Sequence, residues 1–164
     1  MSRQIESPQE RTCRDISGIL PHDPTGIEWT WRLLMKIAQI TSVYISVPPK
    51  THGGTERIVY HLCQQLHRRG HHVELFASGD SQVSCTLQAV LPIATQYDPQ
   101  STFYLEKEYE ARNTYNLYRQ AERFDVIHAH WTTLAPYFST LTRTPTLVTY
   151  AYIEKELHQY YQNH

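Results

Sequence analysis

Residues 35–80 contain the pattern that most restricts the fold of this chain. The stretch runs from an apolar segment through a loop with paired glycines and an amphipathic helical segment to a second apolar segment. This is the order of a parallel βαβ unit, in which a helix crosses between two strands. Because ligands of open α/β sheets bind outside the carboxyl ends of the strands, residues 41–55 are predicted to lie beside a ligand crevice.

The glycine turn of this unit, Gly53 and Gly54 followed by Thr55, is the first candidate site. Glycine reaches backbone conformations closed to other residues and lets a ligand approach without a Cβ in the way. Gly54 or Thr55 is expected to cap the following helix, whose free N–H groups attract an anion such as phosphate. We expect either glycine to accept valine without loss of the fold. The GxGxxG fingerprint and the Walker sequence are absent, which disfavours a nucleotide-dependent oxidoreductase.

The helix predicted at about residues 55–69 is amphipathic and ends at Gly70. Its apolar face consists of Ile58, Val59, Leu62, Cys63 and Leu66. Its opposite, basic face consists of Arg57, His61, Gln64 and Arg68. The apolar face is expected to pack on the sheet, and we interpret the basic face as a solvated surface, with ligand or lipid contact as the alternative.

Strand and helix patterns alternate along the rest of the chain. Strands are predicted at residues 86–91, 124–129 and 146–150. Helices are predicted at residues 101–123, 132–140 and 153–161. This alternation predicts an α/β fold, a Rossmann-like parallel sheet flanked by helices. In the longest of these helices one face carries Tyr104, Ala111, Tyr115 and Tyr118. We interpret that face as core packing, with a sugar-stacking platform as the alternative.

The second candidate site is the end of the strand that runs into His128 and His130. We expect these two histidines, which alternate along the strand, to point to opposite faces, so that at most one of them faces the crevice. A metal pair is disfavoured for that reason and because no nearby Cys, Asp or Glu completes a ligand set. His128 is interpreted as a hydrogen-bonded structural residue, and His130, beside the following loop, is the candidate contact.

Charge, hydropathy and cysteine usage exclude several classes of protein. The formal net charge of −1 gives no general attraction for nucleic acid. No apolar run approaches the roughly 20 residues of a transmembrane segment. The N-terminus lacks the order of a signal peptide, so we predict a cytoplasmic location. Cys13, Cys63 and Cys85 are widely spaced without a CxxC pair, which indicates neither a disulfide framework nor a zinc site.

The chain is predicted to contain one domain and an extension. Residues 1–34 are interpreted as a flexible N-terminal extension, because prolines interrupt a polar stretch that keeps no regular period. Residues 35–164 are long enough to form a single Rossmann-like domain with its own core. The last strand is followed by a helix without any closing element, which indicates an incomplete functional unit.

Several segments in order resemble the N-terminal half of a family 4 glycosyltransferase. They are MKIAQI, GGTERIVYHLCQQLHRRGHHVELFASGDS, FDVIHAHW and PTLVTY, and together they cover residues 35–150. The resemblance implies the retaining class with two facing Rossmann-like domains, the GT-B fold, of which this chain would be the acceptor-side half. It also implies transfer from a nucleotide sugar to an acceptor that the sequence does not identify, without a metal or another cofactor.

The resemblance also assigns roles to single positions. It places Gly53 and Gly54 beside the donor diphosphate and the acceptor, and it makes His130 an acceptor-side contact. Family members commonly carry a histidine in a VTxH-like segment, where this sequence continues from Thr149 to Tyr150 and then Tyr152. The usual sugar contact is therefore missing, and the hydroxyl of Tyr152 is a candidate substitute.

The family pattern includes a C-terminal domain that holds most of the nucleotide sugar. We therefore expect a truncated or split enzyme that needs a C-terminal glycosyltransferase domain in cis or in trans, and we expect the chain alone to be inactive. The alternative is a catalytically inactive Rossmann-like domain that serves binding or interaction.

Overall fold

A computed structural model of the chain describes residues 34–151 and 153–163. The predicted extension, residues 1–34, lies outside these ranges except for its last residue, so its flexibility stays a prediction. The described part contains a five-stranded parallel sheet. Its strands are β1 (Lys36–Ile40), β2 (His72–Ala77), β3 (Thr86–Ala89), β4 (Val126–His130) and β5 (Thr146–Thr149). The predicted Rossmann-like α/β fold is confirmed.

The strand order, β3-β2-β1-β4-β5, places the first strand in the middle of the sheet. The chain moves outward from β1 to β3 and then crosses back to β4, which pairs with the other side of β1. The connections leaving the carboxyl ends of β1 and β4 consequently diverge. A crevice opens at such a reversal of strand order, which is where open α/β sheets bind ligands.

Helices cover both faces of this sheet. They are α1 (Gly54–Arg68), α2 (Phe103–Tyr118), α3 (Ala135–Ser139) and α4 (Lys155–Asn163), with 3₁₀ turns at Thr95–Tyr97 and Ala121–Arg123. Val59 and Cys63 of α1 pack against Val73 and Leu75 of β2. Phe76, on the other face of β2, belongs to the cluster that contains α2. In the described part of the chain, no helix has both the length and the apolar character needed to cross a bilayer.

The C-terminus of α1 shows why the sequence signal for its end is reliable. Gly70 takes a left-handed conformation with φ of 88°. Its N–H donates to the carbonyl of His67 at 2.9 Å, and the N–H of His71 donates to the carbonyl of Leu66 at 3.2 Å. These two bonds form a Schellman motif, which satisfies carbonyls that have no partner in the helix. The predicted helix end at Gly70 is confirmed.

The face of α2 that packs inward differs from the predicted tyrosine face. Tyr104 is 81% exposed and Tyr115 55% exposed, so only Tyr118 of the three tyrosines is buried. The buried face instead includes Asn113, whose Nδ2 donates to the carbonyls of Thr41 at 3.4 Å and Phe76 at 3.3 Å. A buried amide is tolerated there because it joins the carboxyl ends of two strands by hydrogen bonds. Apolar periodicity cannot identify such a residue.

Candidate functional site

A cleft of about 730 Å³ lies at the carboxyl ends of β1 and β4, where the strand order reverses. Five segments line it: the loop after β1, the first turn of α1, the N-terminal half of α2, the loop after β4 and Ala151 after β5. The lining residues include Tyr44, Ile45, Gly54, Thr55, Ile58, Glu106, Glu110, Trp131 and Thr132. Ile58, predicted to face the core, is instead 58% exposed and contributes to the cleft.

The two glycines of the turn before α1 have different requirements. Gly53 has φ of 140°, a conformation that side chains disfavour, and a Cβ built on it would lie 2.8 Å from both Pro49 Cβ and Glu56 Oε2. A Cβ on Gly54 would meet no atom within 4 Å. The prediction that either glycine accepts valine without loss of the fold is therefore wrong for Gly53. Only Gly54 has room for a side chain, and that room is the cleft.

The N-terminus of α1 is open toward the cleft. Its N-cap is Gly53, one residue earlier than predicted, and no side chain caps it. The first backbone bond of the helix runs from the N–H of Arg57 to the carbonyl of Gly53 at 3.2 Å. The amides of Gly54 and Thr55 precede that bond, and both residues line the cleft, whereas the Glu56 N–H donates to its own carboxyl group. Uncapped amides at a helix N-terminus form a binding site for an anionic group.

Glu56, in the first turn of α1, adds a carboxyl group at this end of the cleft. Burial raises the pKa of this carboxyl above its usual value, and a hydrogen bond from its own backbone N–H partly opposes that rise. An anion arriving at the Gly54 and Thr55 amides is therefore placed beside a carboxyl that takes up a proton more readily than an exposed one. No sequence pattern indicates this role for Glu56.

The wall opposite α1 is formed by α2 and carries carboxyl groups. One oxygen of Glu110, Oε1, accepts hydrogen bonds from Ser42 Oγ at 2.7 Å and from the Val43 N–H at 3.0 Å. Burial raises the pKa of Glu110, and these two bonds act against that rise. The pair of bonds fixes the loop after β1 to α2. It also orients the Glu110 carboxyl at the cleft surface.

Glu106, one turn earlier on α2, forms an ion pair with Lys107 on this wall. It accepts a hydrogen bond from Lys107 Nζ at 2.9 Å and one from Thr95 Oγ1 at 3.4 Å. Among the described residues that line the cleft, Lys107 is the one lysine or arginine. Because its charge is paired with Glu106, the α2 wall presents mainly oxygen atoms that accept hydrogen bonds, which suits hydroxyl groups.

The loop after β4 contributes an aromatic ring held by a strained backbone. Trp131 has φ of 51°, the left-handed conformation that bulky residues rarely adopt. Its N–H donates to the carbonyl of Thr149 at 3.1 Å, and its side chain is 43% exposed where it lines the cleft. Backbone outliers of this kind concentrate at ligand sites. The sequence placed Trp131 directly after the histidine pair but gave no sign of this conformation.

The two histidines of β4 point to the same face of the sheet. Their ring centroids lie 3.8 Å apart, so the prediction of opposite faces is wrong. Residues two apart on a strand share a face, because side chains alternate with a period of two. His128 Nε2 lies 2.8 Å from Thr149 Oγ1, and His130 Nε2 lies 2.7 Å from Gln39 Oε1.

Both imidazoles are held in the neutral form. Burial, with a smaller contribution from the nearby His128 ring, lowers the pKa of His130 to about 3. Burial also lowers the pKa of His128. His130 is only 2% exposed, so the sheet rather than the cleft surrounds it. A neutral, buried imidazole serves here as a hydrogen-bonding group within β4 and β1.

Comparison with known protein families identifies the chain. A sequence model described as Glycosyltransferase Family 4 matches residues 52–163, more than half of the chain. The chain belongs to glycosyltransferase family 4. A search of curated proteins finds no match. The matched residues of this family 4 domain include the glycine turn, α1, the α2 wall and the histidine strand, so the cleft lies within the match except for the loop after β1.

The site residues predicted from sequence occupy three different positions in this family 4 domain. Gly54 and Thr55 line the cleft, and Gly53 shapes the turn that leads to it. His130 lies within the sheet, and its role as an acceptor contact stays a prediction. Tyr152 lies outside the described residues. In residues 34–151 and 153–163, no group of three or more His, Cys, Asp or Glu is arranged to hold a metal ion.

Proposed function

We propose that this domain forms the acceptor side of a cleft in which a glycosyl group passes from a nucleotide sugar to a hydroxyl group of an acceptor. The observation that carries the proposal is the pairing of two walls across one cleft. Uncapped amides at the start of α1 face the carboxyl groups of α2 at the point where the strand order reverses. A transferase of this kind needs donors for a leaving phosphate and acceptors for a hydroxyl.

The amides of Gly54 and Thr55 are assigned to the donor diphosphate. Negative charge grows on the leaving nucleotide as the bond to the sugar breaks, and preoriented N–H groups stabilise such charge. Gly54 suits this role because its exposed Cα brings no side chain between the backbone and the ligand. The proposal includes no metal ion, since the amides are assigned the task of balancing the diphosphate charge.

The carboxyl of Glu110 and the ring of Trp131 are assigned to the acceptor. A carboxylate accepts hydrogen bonds from hydroxyl groups, and an exposed indole offers an apolar surface to the C–H face of a sugar. The bonds from Ser42 and Val43 restrain Glu110, so little conformational freedom is lost when the acceptor binds. Lys107 is already paired with Glu106, which makes this wall a poor site for a phosphorylated acceptor.

We further propose that a C-terminal glycosyltransferase domain, in cis or in trans, forms the opposite side of the cleft. The lining residues supply an aromatic ring, carboxyl groups and amides, but the described ones include no arginine to pair with a nucleotide. A donor held only at its diphosphate would be held weakly, because few of its atoms would be buried. The chain alone is therefore proposed to be inactive.

The alternative function is a Rossmann-like binding domain without catalysis. The position of His130 favours it, because this ring lies in the sheet and not at the cleft surface. Under this alternative the cleft binds a hydroxylated ligand and no bond is broken.

Joining the chain to the donor-binding domain of a family 4 glycosyltransferase tests the proposal. Nucleotide sugars and neutral sugar acceptors are incubated with the complex, and product is measured by mass spectrometry. We expect transfer by the complex and none by the 164-residue chain alone. Gly54→Val should lower kcat/KM by at least about tenfold, because its side chain enters the space assigned to the diphosphate.

The matched control is Ala89→Val, which adds a valine on the exposed strand β3, outside the cleft. This variant should keep full activity. Turnover by the chain alone would contradict the need for a second domain. Unchanged activity in Gly54→Val would remove the glycine turn from the site. Binding of a sugar by the complex without any transfer would support the binding-domain alternative.

A further inference from the structure

Two cysteines that are far apart in sequence lie in the same layer between α1 and the sheet. Cys63 is fully buried on α1, and Cys85 precedes β3 immediately. In the pairing of β2 with β3, Thr86 lies beside Glu74. Because side chains alternate, Cys85 shares a face with Val73, the face that α1 covers. Both cysteines accordingly pack in the cluster that joins α1 to β2.

The two thiols pack in one cluster, and each affects the ionisation of the other. A hydrogen bond with Cys85, together with burial, raises the pKa of Cys63. The same hydrogen bond lowers the pKa of Cys85. A thiol near solvent loses its proton more readily than one buried among apolar side chains, which favours Cys85 as the reacting sulfur. Cys85 is also the less buried of the two, so an oxidant in solution reaches it first.

We propose that Cys63 and Cys85 are a site of reversible oxidation, at which a peroxide converts the two thiols into a disulfide. The sulfur of Cys85, after loss of its proton, attacks one oxygen of the peroxide and breaks the O–O bond, which gives a sulfenic acid and hydroxide. The sulfur of Cys63 then attacks the Cys85 sulfur, and water leaves.

Atoms and electrons balance in this sequence. Two thiols and one hydrogen peroxide give one disulfide and two waters, with two electrons passing from the sulfurs to the peroxide oxygens. A dithiol reductant reverses the reaction by thiol–disulfide exchange. Disulfides of this transient kind are the type expected in a reducing compartment.

The bond would join the middle of α1 to the start of β3 and close a loop that contains β2. Closing such a loop restricts the unfolded chain and raises Tm by roughly 10 °C when the native geometry accommodates the bond. It would also restrain the helix whose first turn forms one wall of the cleft. This inference does not depend on the proposed transferase function, because it requires only the two sulfurs and the packing around them.

The test uses the Cys13→Ser chain, which retains only the two cysteines of the site. The reduced protein is treated with one equivalent of hydrogen peroxide at neutral pH and measured by intact mass spectrometry. We expect a loss of about 2 Da, the two hydrogens of the thiols. A peptide map without reductant should contain one linked pair with Cys63 and Cys85. Dithiothreitol should restore both the original mass and the original Tm.

The control is Cys85→Ser in the same background, which should form neither an internal disulfide nor a disulfide-linked dimer. An internal disulfide in the first protein, with the higher Tm, supports the proposal. Three results would overturn it: disulfide-linked dimers as the main product, addition of oxygen to a cysteine without a disulfide, or two thiols that remain free.

Discussion

The two walls of the cleft contribute opposite kinds of hydrogen-bonding group. The first turn of α1 contributes the free backbone N–H donors of Gly54 and Thr55, since the Glu56 N–H donates to its own carboxyl group. The facing turns of α2 contribute the carboxyl oxygens of Glu106 and Glu110, which are acceptors when ionised. A ligand that spans the cleft must therefore combine an anionic group with hydroxyl or ammonium donors.

The two walls also differ in the interactions that determine their conformation. The α1 wall depends on a backbone conformation at Gly53, so a substitution there acts through strain and steric overlap. The α2 wall depends on the hydrogen bonds that the Glu110 carboxyl accepts from the Ser42 hydroxyl and the Val43 N–H, so a substitution of Glu110 acts through lost charge and unpaired donors. Variants of the two walls should consequently give different patterns of stability.

The largest effect is expected in the α1 wall, from Gly53→Ala. Alanine at this position must adopt a positive φ and place its Cβ 2.8 Å from Pro49 Cβ. We expect the free energy of unfolding to fall by about 3 kcal/mol, since unfavourable backbone conformations alone cost 1 to 3 kcal/mol. Urea denaturation of the purified chain measures this loss.

Gly54→Ala is the matched control for Gly53→Ala. Its Cβ meets open space and its residue is already in the first helical turn, so its stability should stay within about 1 kcal/mol of wild type or rise. Equal losses in the two variants would contradict the division of roles between the glycines, in which Gly53 shapes the turn and Gly54 faces the ligand.

In the α2 wall, Glu110→Ala should have a smaller effect on stability. The variant leaves the Ser42 hydroxyl and the Val43 N–H without their acceptor, which costs about 2 kcal/mol for buried groups. Glu110→Gln keeps an oxygen in the same place and should cost less. Urea denaturation at pH 7 separates the two variants.

The ionisation of Glu110 also makes the stability difference between wild type and Glu110→Gln depend on pH. Because burial raises its pKa, the native state holds the Glu110 proton more tightly than the unfolded state does. That contribution to stability is complete below the unfolded pKa and is lost as the pH rises through the folded pKa. Glu110→Gln should therefore gain stability relative to wild type as the pH rises above 4.5. A difference in the free energy of unfolding between Glu110→Gln and wild type that does not change with pH would show that folding does not shift the pKa of Glu110.

The α1 wall could be predicted from sequence because its determinants are local. The glycine turn, the amphipathic helix and the terminating Gly70 all lie within residues 53–70, and each has a short-range signal. The alternation of strands and helices predicted the parallel sheet for the same reason. The error over His128 and His130 was not a limit of the sequence, because the period of a strand already places them on one face.

The α2 wall could not be predicted because its determinants are distant in sequence. Glu110 is identified only through its contacts with Ser42 and Val43, 68 and 67 residues away. In the sequence, Glu110 is one of several charged residues in the predicted helix at residues 101–123. Asn113 and Trp131 were missed for related reasons. The first is buried through bonds to two strand ends, and the second depends on a backbone angle that no residue pattern indicates.

The smallest expected effect on stability comes from His130, in the sheet behind the cleft. Lowering the pH should reduce the contribution of His130 to the free energy of unfolding, whereas it increases that of Glu110. Burial, together with the nearby His128 ring, lowers the pKa of His130 to about 3, so the unfolded state binds a proton more readily. The stability that this neutral imidazole provides is complete above the unfolded pKa of 6.5 and is lost as the pH falls toward 3. Between pH 6.5 and 5.5 the free energy of unfolding should fall by roughly 1 kcal/mol from this residue.

His130→Gln isolates this contribution, because glutamine retains a group that can bond to Gln39 but does not titrate. The carboxyl groups of Glu56 and Glu110 respond to pH in both proteins, as does His128, so their effects largely cancel in the difference between variant and wild type. Urea denaturation at pH 6.5, 6.0 and 5.5 should show wild type losing stability faster than the variant. Parallel losses would mean that His130 reaches solvent and takes up a proton, as a residue at the cleft surface does. That outcome would restore it as a candidate acceptor contact.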